Sequence, residues 1–274
     1  MTQPFSYADA HVFVAGGTSG INLGIAQAFA RAGAKVSVLS RSQAKVDAAV
    51  AQLRELGPDA AGFAADVREY AAVEAALREA HERFGKIDVL VSGAAGNFPA
   101  PALGMSANAF KTVVDIDLLG TFNVVRAAFE FLRQPGASVI NISAPQAFQP
   151  MELQMHVCAA KAGVDMITRV GAIEFGPAGI RVNSVVPGPI AHTEGMKRLA
   201  PTKELAQIVS DSVPLRRFGE DSEIADACLW LGSKMAAYVT GAVIPVDGGW
   251  SLGGTAVSGD GLKKAFIAMS KAQA

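Results

Sequence analysis

The sequence predicts an α/β protein with a seven-stranded parallel sheet and helices on both faces. Short β-rich apolar runs alternate along the chain with segments of helical periodicity, which is the pattern of a parallel, doubly wound sheet. Half of the 274 residues are hydrophobic and 18% are charged, so the chain can bury a large core. A glycine-rich turn follows the first apolar run directly. No internal repeat or linker divides the sequence, so we expect residues 1–274 to form a single domain.

Each predicted strand is a short run of mainly apolar residues, and the third is the weakest. A helix is predicted from about Ile21 to Ala32, and helical spacing recurs between the later strands. In this topology the ligand crevice lies at the carboxyl ends of the strands. The seven strands are predicted at His11–Ala15, Lys35–Leu39, Ala61–Ala65, Ile87–Val91, Ser138–Ile142, Arg181–Val186 and Ala242–Val246.

Two segments lie outside the regular alternation. The segment from about Ala191 to Leu215 interrupts it after the sixth strand, and we expect a small helical lid over the substrate side. The tail, about residues 252–274, has helical character from Asp260 onward but no function that its residues indicate.

Composition excludes several classes of protein. The formal net charge is −1, so no broad basic field favours nucleic acid or an anionic membrane surface. No apolar stretch of membrane-spanning length and no signal-peptide pattern stand out. The two cysteines, Cys158 and Cys228, have neither metal-ligand spacing nor a disulfide framework. We therefore expect a cytoplasmic protein without a metal site.

The turn after the first strand, Ala15 to Gly24, has the composition of a phosphate-binding loop. Its glycines let backbone N–H groups approach a pyrophosphate, and the next helix points its N-terminus at the same anion. Glycines also serve ordinary turns and helix caps, so the interpretation depends on the position between a strand and a helix. The expected dinucleotide contacts are Gly16, Thr18, Ser19, Gly20 and Ile21.

The end of the second strand, Ser40-Arg41-Ser42, indicates NADP(H) rather than NAD(H). An NAD site usually has a carboxylate here for the ribose 2′-hydroxyl, whereas the nearest downstream acid is Asp47, inside the next helix. Arg41 and the serine hydroxyls suit a 2′-phosphate instead. The alternative is that Arg41 is an ordinary surface arginine.

The spacing of Gly16 and Gly20 resembles the TGxxxGxG loop of short-chain dehydrogenases/reductases. Ala15 replaces the threonine, and Asn22, which tolerates left-handed backbone better than most residues, replaces a glycine. The resemblance spans roughly Val12 to Trp250. It implies further cofactor contacts, the first of them with adenine, at Asp66, Val67, Gly93, Ala94, Pro187, Gly188 and Ile190.

Only one member of that family's usual catalytic set is present. Lys161 stands where the family has its lysine, but the tyrosine four residues earlier is replaced by Val157. Ala144 occupies the serine position and Asp117 the asparagine position. Either the domain binds a dinucleotide without catalysis, or it performs a different reduction on the same frame.

The local sequence favours a different reduction. Several segments together resemble 2,4-dienoyl-CoA reductases, most closely the peroxisomal type, which also lacks the tyrosine. This resemblance implies NADPH-dependent reduction of 2,4-dienoyl-CoA thioesters to 3-enoyl-CoA in unsaturated fatty-acid oxidation. The segments are Ala94–Phe98, Asp115-Ile116-Asp117, His156, Pro187–Ile190 and Thr193-Glu194-Gly195.

The resemblance also implies catalytic roles. Asp117 and Asp247 would position and protonate the water that donates a proton to carbon. Lys161 would orient the nicotinamide ribose and place positive charge near the enolate. Two alternatives stay open: Asp247 could shape the turn after the last strand, and Asp117 could cap a helix or pair with Lys161.

Substrate contacts are expected from Asn97 and Phe98, which would touch the acyl thioester, and from Ser143. For the Ser143 hydroxyl, we favour a bond to backbone over a donation to the substrate. We favour a structural role for His156 and an apolar core position for Cys158.

Relatives of this kind form tetramers through long helices and the C-terminal strand, so a homotetramer is expected. The sequence ends in Lys-Ala-Gln-Ala rather than in the peroxisomal address Ser-Lys-Leu, in keeping with the cytoplasmic expectation. The alternatives in function are a catalytically silent NADP(H)-binding homologue and another enoyl or 3-oxoacyl thioester reductase.

Overall fold

The sheet is built from seven parallel strands in the order β3-β2-β1-β4-β5-β6-β7. The computed structural model describes residues 5–254 and residues 261, 263, 264, 267 and 268. The predicted doubly wound sheet is confirmed, and each strand lies within two residues of its predicted bounds. The strands are β1 His11–Ala15, β2 Lys35–Ser40, β3 Ala60–Ala64, β4 Val89–Ser92, β5 Ser138–Ile142, β6 Arg181–Pro187 and β7 Val243–Val246.

The fourth strand starts later than predicted. Ile87 only forms an isolated bridge with Leu132, and regular pairing begins at Val89. The order of the strands reverses between β1 and β4, the place where doubly wound sheets open a ligand crevice.

Helices cover both faces of the sheet and enclose two apolar cores. Helices α1, α2 and α9 pack on one face, and α3, α5 and α6 on the other. The helices are α1 Gly20–Arg31, α2 Gln43–Leu56, α3 Tyr70–Phe84, α4 Ala107–Val114, α5 Gly120–Ala128, α6 Met155–Phe175, α7 Glu194–Leu199, α8 Lys203–Ser212 and α9 Asp221–Gly232.

A π-helical turn, Asp115–Leu119, joins α4 to α5, and the sequence pattern did not predict it. Such turns insert one residue into the helical repeat and occur often at functional sites. Here Asp117 is 1% exposed, whereas the side chain of Asp115 is 23% exposed and pairs with Lys111.

The predicted lid segment contains α7 and α8. A small apolar cluster of Met151, Leu205, Val213 and Trp250 packs α8 against the body of the protein. The tail predicted at residues 252–274 lies mostly outside the described residues. Within the described part of the chain, no helix has both the length and the apolar character that crossing a membrane requires.

Candidate active site

A cleft of about 450 Å³ runs along the carboxyl ends of β1, β2, β4, β5 and β6. It brings together most of the residues that the sequence assigned to cofactor and substrate, from segments far apart in the chain. Those among its lining residues are Gly16, Thr18, Ser19, Gly20, Ile21, Ser40, Arg41, Asp66, Val67, Gly93, Ala94, Asn97, Asp117, Ser143, Lys161, Pro187, Gly188 and Ile190.

The glycine-rich turn has a shape that fits a pyrophosphate. Gly16 has φ +80°, and a Cβ there would lie 2.8 Å from the Cα and N atoms of Ala94. Gly20 has φ +54° and opens α1, while the Ser19 side chain makes no capping hydrogen bond. The first N–H groups of α1 are therefore left for an anionic ligand, and the bare backbone at Gly16 lets β1 and β4 lie close beside it.

Asn22 does not adopt the left-handed backbone that a glycine at its position would allow, because it lies inside α1. Its Nδ2 donates to the carbonyl oxygen of Gly93 over 2.7 Å. A Cβ on Gly93 would come within 2.2 Å of the Asn22 side chain. Asn22 thus ties the glycine-rich turn to the end of β4.

Two basic side chains line the end of the cleft near β2. Arg41 was expected there, whereas Lys45 was not, although a basic residue in the first turn of the helix after β2 could have indicated it. A pair of cations near Ser40 matches the donors that a 2′-phosphate requires.

Asp66 is held in place by Arg68, which was not predicted from the sequence. Arg68 Nε donates to Oδ1 over 3.0 Å, and Arg68 Nη2 donates to Oδ2 over 2.6 Å. The Arg68 hydrogen bonds lower the pKa of Asp66, and the charge of Arg41 adds to this. Asp66 is therefore an oriented, ionised acceptor at the cleft wall.

Asp117 and Lys161 form a buried pair on the opposite side of the cleft. Lys161 Nζ lies 3.5 Å from Asp117 Oδ2 and donates to the carbonyl oxygen of Ile142 over 3.0 Å. The N–H of Gly96 donates to Asp117 Oδ1 over 2.7 Å. Val157, at the position of the family tyrosine, lines the cleft and offers no proton.

Burial has the largest effect on the pKa of Asp117. It raises the pKa of the Asp117 carboxyl, and the charge of Lys161 and the N–H of Gly96 oppose this shift without cancelling it. A carboxyl with a raised pKa can hold and return a proton near neutral pH. The cleft therefore combines a fixed cation with a buried proton-holding group.

Asp247 does not join this pair in the cleft lining. Its Oδ1 accepts from the N–H of Gly249 over 2.9 Å, and its Oδ2 accepts from the N–H of Ser251 over 2.8 Å. Gly248 and Gly249 both have positive φ, as a tight turn requires. These contacts favour the turn-shaping alternative, and the water-binding role of Asp247 stays a prediction.

Of the residues expected to contact the acyl thioester, Asn97 lines the cleft and Phe98 does not. Asn97 lines the cleft, and its carbonyl oxygen accepts from Arg198 of α7 over 3.0 Å, which links the loop after β4 to the lid. Phe98 is not part of the lining and packs edge-on against His156, with ring centroids 4.5 Å apart. Burial lowers the pKa of His156, so this fully buried ring is neutral and supports Phe98.

Within the described part of the chain, no three His, Cys, Asp or Glu side chains converge as a metal site would require. The side chains that line the cleft can transfer protons and stabilise charge, next to a cradle for a dinucleotide.

Comparisons with known proteins identify similar chains. A family model described as enoyl-(acyl carrier protein) reductase matches residues 15–251. The chain is 46% identical over 243 residues to the peroxisomal 2,4-dienoyl-CoA reductase [(3E)-enoyl-CoA-producing] of Rattus norvegicus, covering 88% of this chain and 83% of the relative. It is 36% identical to a probable 2,4-dienoyl-CoA reductase [(2E)-enoyl-CoA-producing] of Bacillus subtilis (strain 168), covering 87% and 95%. Among solved structures, levodione reductase aligns with TM-score 0.86 at 33% identity, covering 90% of this chain and 99% of that one.

Proposed function

This chain belongs to the short-chain dehydrogenase/reductase family, and we propose that it reduces 2,4-dienoyl-CoA thioesters to 3-enoyl-CoA with NADPH, in the oxidation of unsaturated fatty acids. The observation that carries the proposal is the buried Asp117–Lys161 pair, 3.5 Å apart in a cleft whose tyrosine position is Val157. Ketone reduction needs an acid at the carbonyl oxygen, whereas reduction of a conjugated thioester needs a proton at carbon. The names of relatives such as the one from Rattus norvegicus support the same substrate class.

The nucleotide end of the cleft supports NADPH as the hydride donor. When bound, NADPH supplies a hydride to the far end of the diene. Arg41 and Lys45 offer positive charge for its 2′-phosphate, and no carboxylate lies between them in the sequence. The glycine-rich turn and the free N-terminus of α1 suit its pyrophosphate.

Side chains on the side of the cleft away from the nucleotide carry out the remaining steps. Hydride addition leaves negative charge on the thioester oxygen, which the ammonium group of Lys161 stabilises electrostatically. Burial raises the pKa of Asp117 and so favours its protonated form. In this proposal Asp117 passes that proton towards the carbon through water. Asn97 and Ser143 both line the cleft, which supports a role for them in orienting the thioester.

The direct test is NADPH consumption by the purified protein with 2,4-hexadienoyl-CoA and with longer dienoyl thioesters. Turnover with product carrying the double bond at carbon 3, identified by mass spectrometry and NMR, is the expected result. The products in the names of two relatives differ in this position, so the product must be identified directly. Absence of turnover at every chain length, with NADPH bound, would reject the proposal.

A second candidate function is NADP(H) binding without catalysis, and Val157 together with Ala144 favours it. Both positions lack the hydroxyl groups of the family's usual catalytic set, and both line the cleft. This candidate predicts normal NADPH affinity and no oxidation with any thioester, acetoacetyl-CoA included. Turnover that depends on Asp117 and Lys161 would exclude it.

We also propose that the protein is a homotetramer. Large apolar side chains are exposed on α5 and on α6: Phe122, Met166, Val170 and Ile173 are between 43% and 76% exposed. A second copy of the chain packing there would bury this surface. Light scattering coupled to size-exclusion chromatography tests this, and a monomer at micromolar concentration would contradict it. The cytoplasmic location stays a prediction, because several relatives carry peroxisomal names.

A further inference from the structure

A buried polar cluster lies behind the cleft wall, and the chemistry described above uses only one of its members, Ser143. Its members are an amide and two hydroxyls at the carboxyl ends of β5 and β6, and two side chains of α6. All are at most 4% exposed. They are Asn141, Ser143, Ser184, Asp165 and Thr168.

The register of the sheet places these side chains on one face. Asn141 pairs with Ser184, and the N–H of Ser143 continues the pairing by donating to the carbonyl oxygen of Val185 over 2.9 Å. Because side chains alternate along a strand, Asn141 and Ser143 point to the same side. Thr168 of α6 marks that side, since its Oγ1 accepts from Asn141 Nδ2 over 2.8 Å and lies 2.7 Å from Ser184 Oγ.

The helical repeat then places Asp165 beside Ser143. Lys161, Asp165 and Thr168 follow one stripe of α6 at intervals of four and three residues. Lys161 reaches the cleft at Ile142, and Thr168 contacts Asn141 deeper in the protein. Asp165 lies between them, at the level of Ser143, the one member of the cluster that lines the cleft.

Three polar atoms of the cluster make no hydrogen bond of normal geometry to any described residue. They are Asn141 Oδ1, Ser143 Oγ and Asp165 Oδ1, and of these only Ser143 belongs to a residue that lines the cleft. Buried polar atoms without partners are uncommon in folded proteins, and each calls for a physical explanation. An unpaired hydroxyl at the cleft wall, backed by an unpaired carboxyl oxygen, indicates a contact completed during the reaction.

We propose that Asp165 is a positioning residue that makes Ser143 a hydrogen-bond donor to the substrate. As a neutral acid, Asp165 donates its O–H to Ser143 Oγ, so the Ser143 proton is directed into the cleft at the thioester oxygen. No covalent bond forms or breaks in this arrangement. The inference rests on the proposed reduction of a dienoyl thioester and adds a second group, besides Lys161, that stabilises the negative charge on that oxygen.

The surroundings of Asp165 favour the neutral acid. Burial raises the pKa of Asp165, while the hydroxyls of Ser143 and Ser184 and the charges of Arg169 and Lys161 lower it less. The charged groups around Asp165 on its own helix are Arg169 and Lys161, and Asp117 lies beyond Lys161. The strands β5 and β6 contribute neutral groups, which are the two hydroxyls and the Asn141 amide. As pH rises through the pKa of Asp165, the carboxylate instead accepts the Ser143 proton and turns it away from the cleft.

The test compares Asp165→Asn, Asp165→Ala and Ser143→Ala in kcat and KM for a dienoyl-CoA across the pH range. Loss of one hydrogen bond predicts a fall in kcat of about tenfold for Asp165→Ala and for Ser143→Ala. The double Ser143→Ala/Asp165→Ala variant should fall no further, because both changes remove the same donor. Asp165→Asn keeps an N–H donor, so it should retain most activity and lose the alkaline decline that Asp165 causes. Asp226→Asn, an exposed acid on α9, is the matched control.

Infrared spectroscopy supplies a readout that does not depend on turnover. The spectrum of the unaltered protein minus that of Asp165→Asn should show the carbonyl band of a protonated carboxylic acid. Absence of this band, Asp165→Asn as impaired as Asp165→Ala, or Ser143→Ala with normal kcat would each overturn the inference while leaving the proposed function intact. No turnover by the unaltered protein would reject the proposed function itself, and with it the action of Ser143 on the substrate.

Discussion

The two halves of the cleft are built by different means. On the nucleotide side, the main chain provides the surface for the pyrophosphate, through the left-handed Gly16 and the uncapped start of α1. On the substrate side, buried side chains provide it, with Asp117 from a π-helical turn and Lys161 from α6 in contact across more than forty residues of sequence. A main-chain site tolerates side-chain replacement, so Ala15 and Asn22 can depart from the usual loop. In a side-chain site, one replacement changes the chemistry.

The largest effect is expected from removing the side chains of the substrate half. Asp117→Ala or Lys161→Ala should lower kcat by about 10²–10⁴-fold, the usual range for general acid–base groups. NADPH affinity should change little for Asp117→Ala, because the nucleotide side does not depend on this carboxyl. Stopped-flow kinetics and fluorescence titration of NADPH separate the two quantities.

Asp115→Ala is the matched control, since Asp115 lies in the same π-helical turn with a partly exposed side chain that pairs with Lys111. It should keep kcat close to that of the unaltered protein. Equal losses for Asp115→Ala and Asp117→Ala would mean that the turn, rather than the Asp117 carboxyl, matters.

On the nucleotide side, a change that disturbs the main chain should lower NADPH affinity. Gly16→Ala adds left-handed strain of roughly 1–2 kcal/mol and drives a Cβ to 2.8 Å from the main chain of Ala94. We expect NADPH affinity to drop more than tenfold. Gly85→Ala is the control: its φ of +82° is nearly the same, but nothing lies within 4 Å of the added Cβ. It should lower the free energy of unfolding and leave NADPH affinity unchanged, and a similar affinity loss in both variants would refute the steric argument.

The difference between the halves also explains what could be read from the sequence. Gly16 was found because a turn between a strand and a helix is encoded by neighbouring residues. Asp117 was assigned only through a family resemblance, because a π-helical turn leaves no periodic signal that separates it from Asp115. Phe98 was expected at the substrate and Asp247 at the donor water, and both stay predictions. The contacts that the structure shows, with His156 and with the turn after β7, could not be read from the sequence because the first joins distant segments and the second forms only in the folded turn. Asn22 was interpreted only as a replacement for a loop glycine, yet its side chain bonds to Gly93, which adjoins it only in the folded sheet.

On the nucleotide side, side chains should determine the preference for NADPH over NADH. Arg41→Ala should weaken NADPH by about 1–3 kcal/mol, the value of a charged hydrogen bond, and leave NADH nearly unaffected. Lys45→Ala should show the same selectivity with a smaller loss, since an ammonium group makes no bidentate contact with phosphate. Isothermal titration with both cofactors measures this. An equal loss for NADPH and NADH would show that neither cation contacts the 2′-phosphate.

The smallest effect on catalysis is expected at Asp247, a side chain that binds main-chain N–H groups. Its carboxylate accepts from the N–H groups of Gly249 and Ser251, so it acts on the main chain although it was predicted to act on a water. Asp247→Asn replaces one acceptor oxygen by an NH₂ group and should lower the free energy of unfolding by about 1–3 kcal/mol, because one buried N–H loses its partner. The kcat of the folded protein should change less than threefold. Urea denaturation and steady-state kinetics on the same sample compare the two effects. A large fall in kcat without loss of stability would restore Asp247 to the proton path and place it with Asp117 among the side chains of the substrate half.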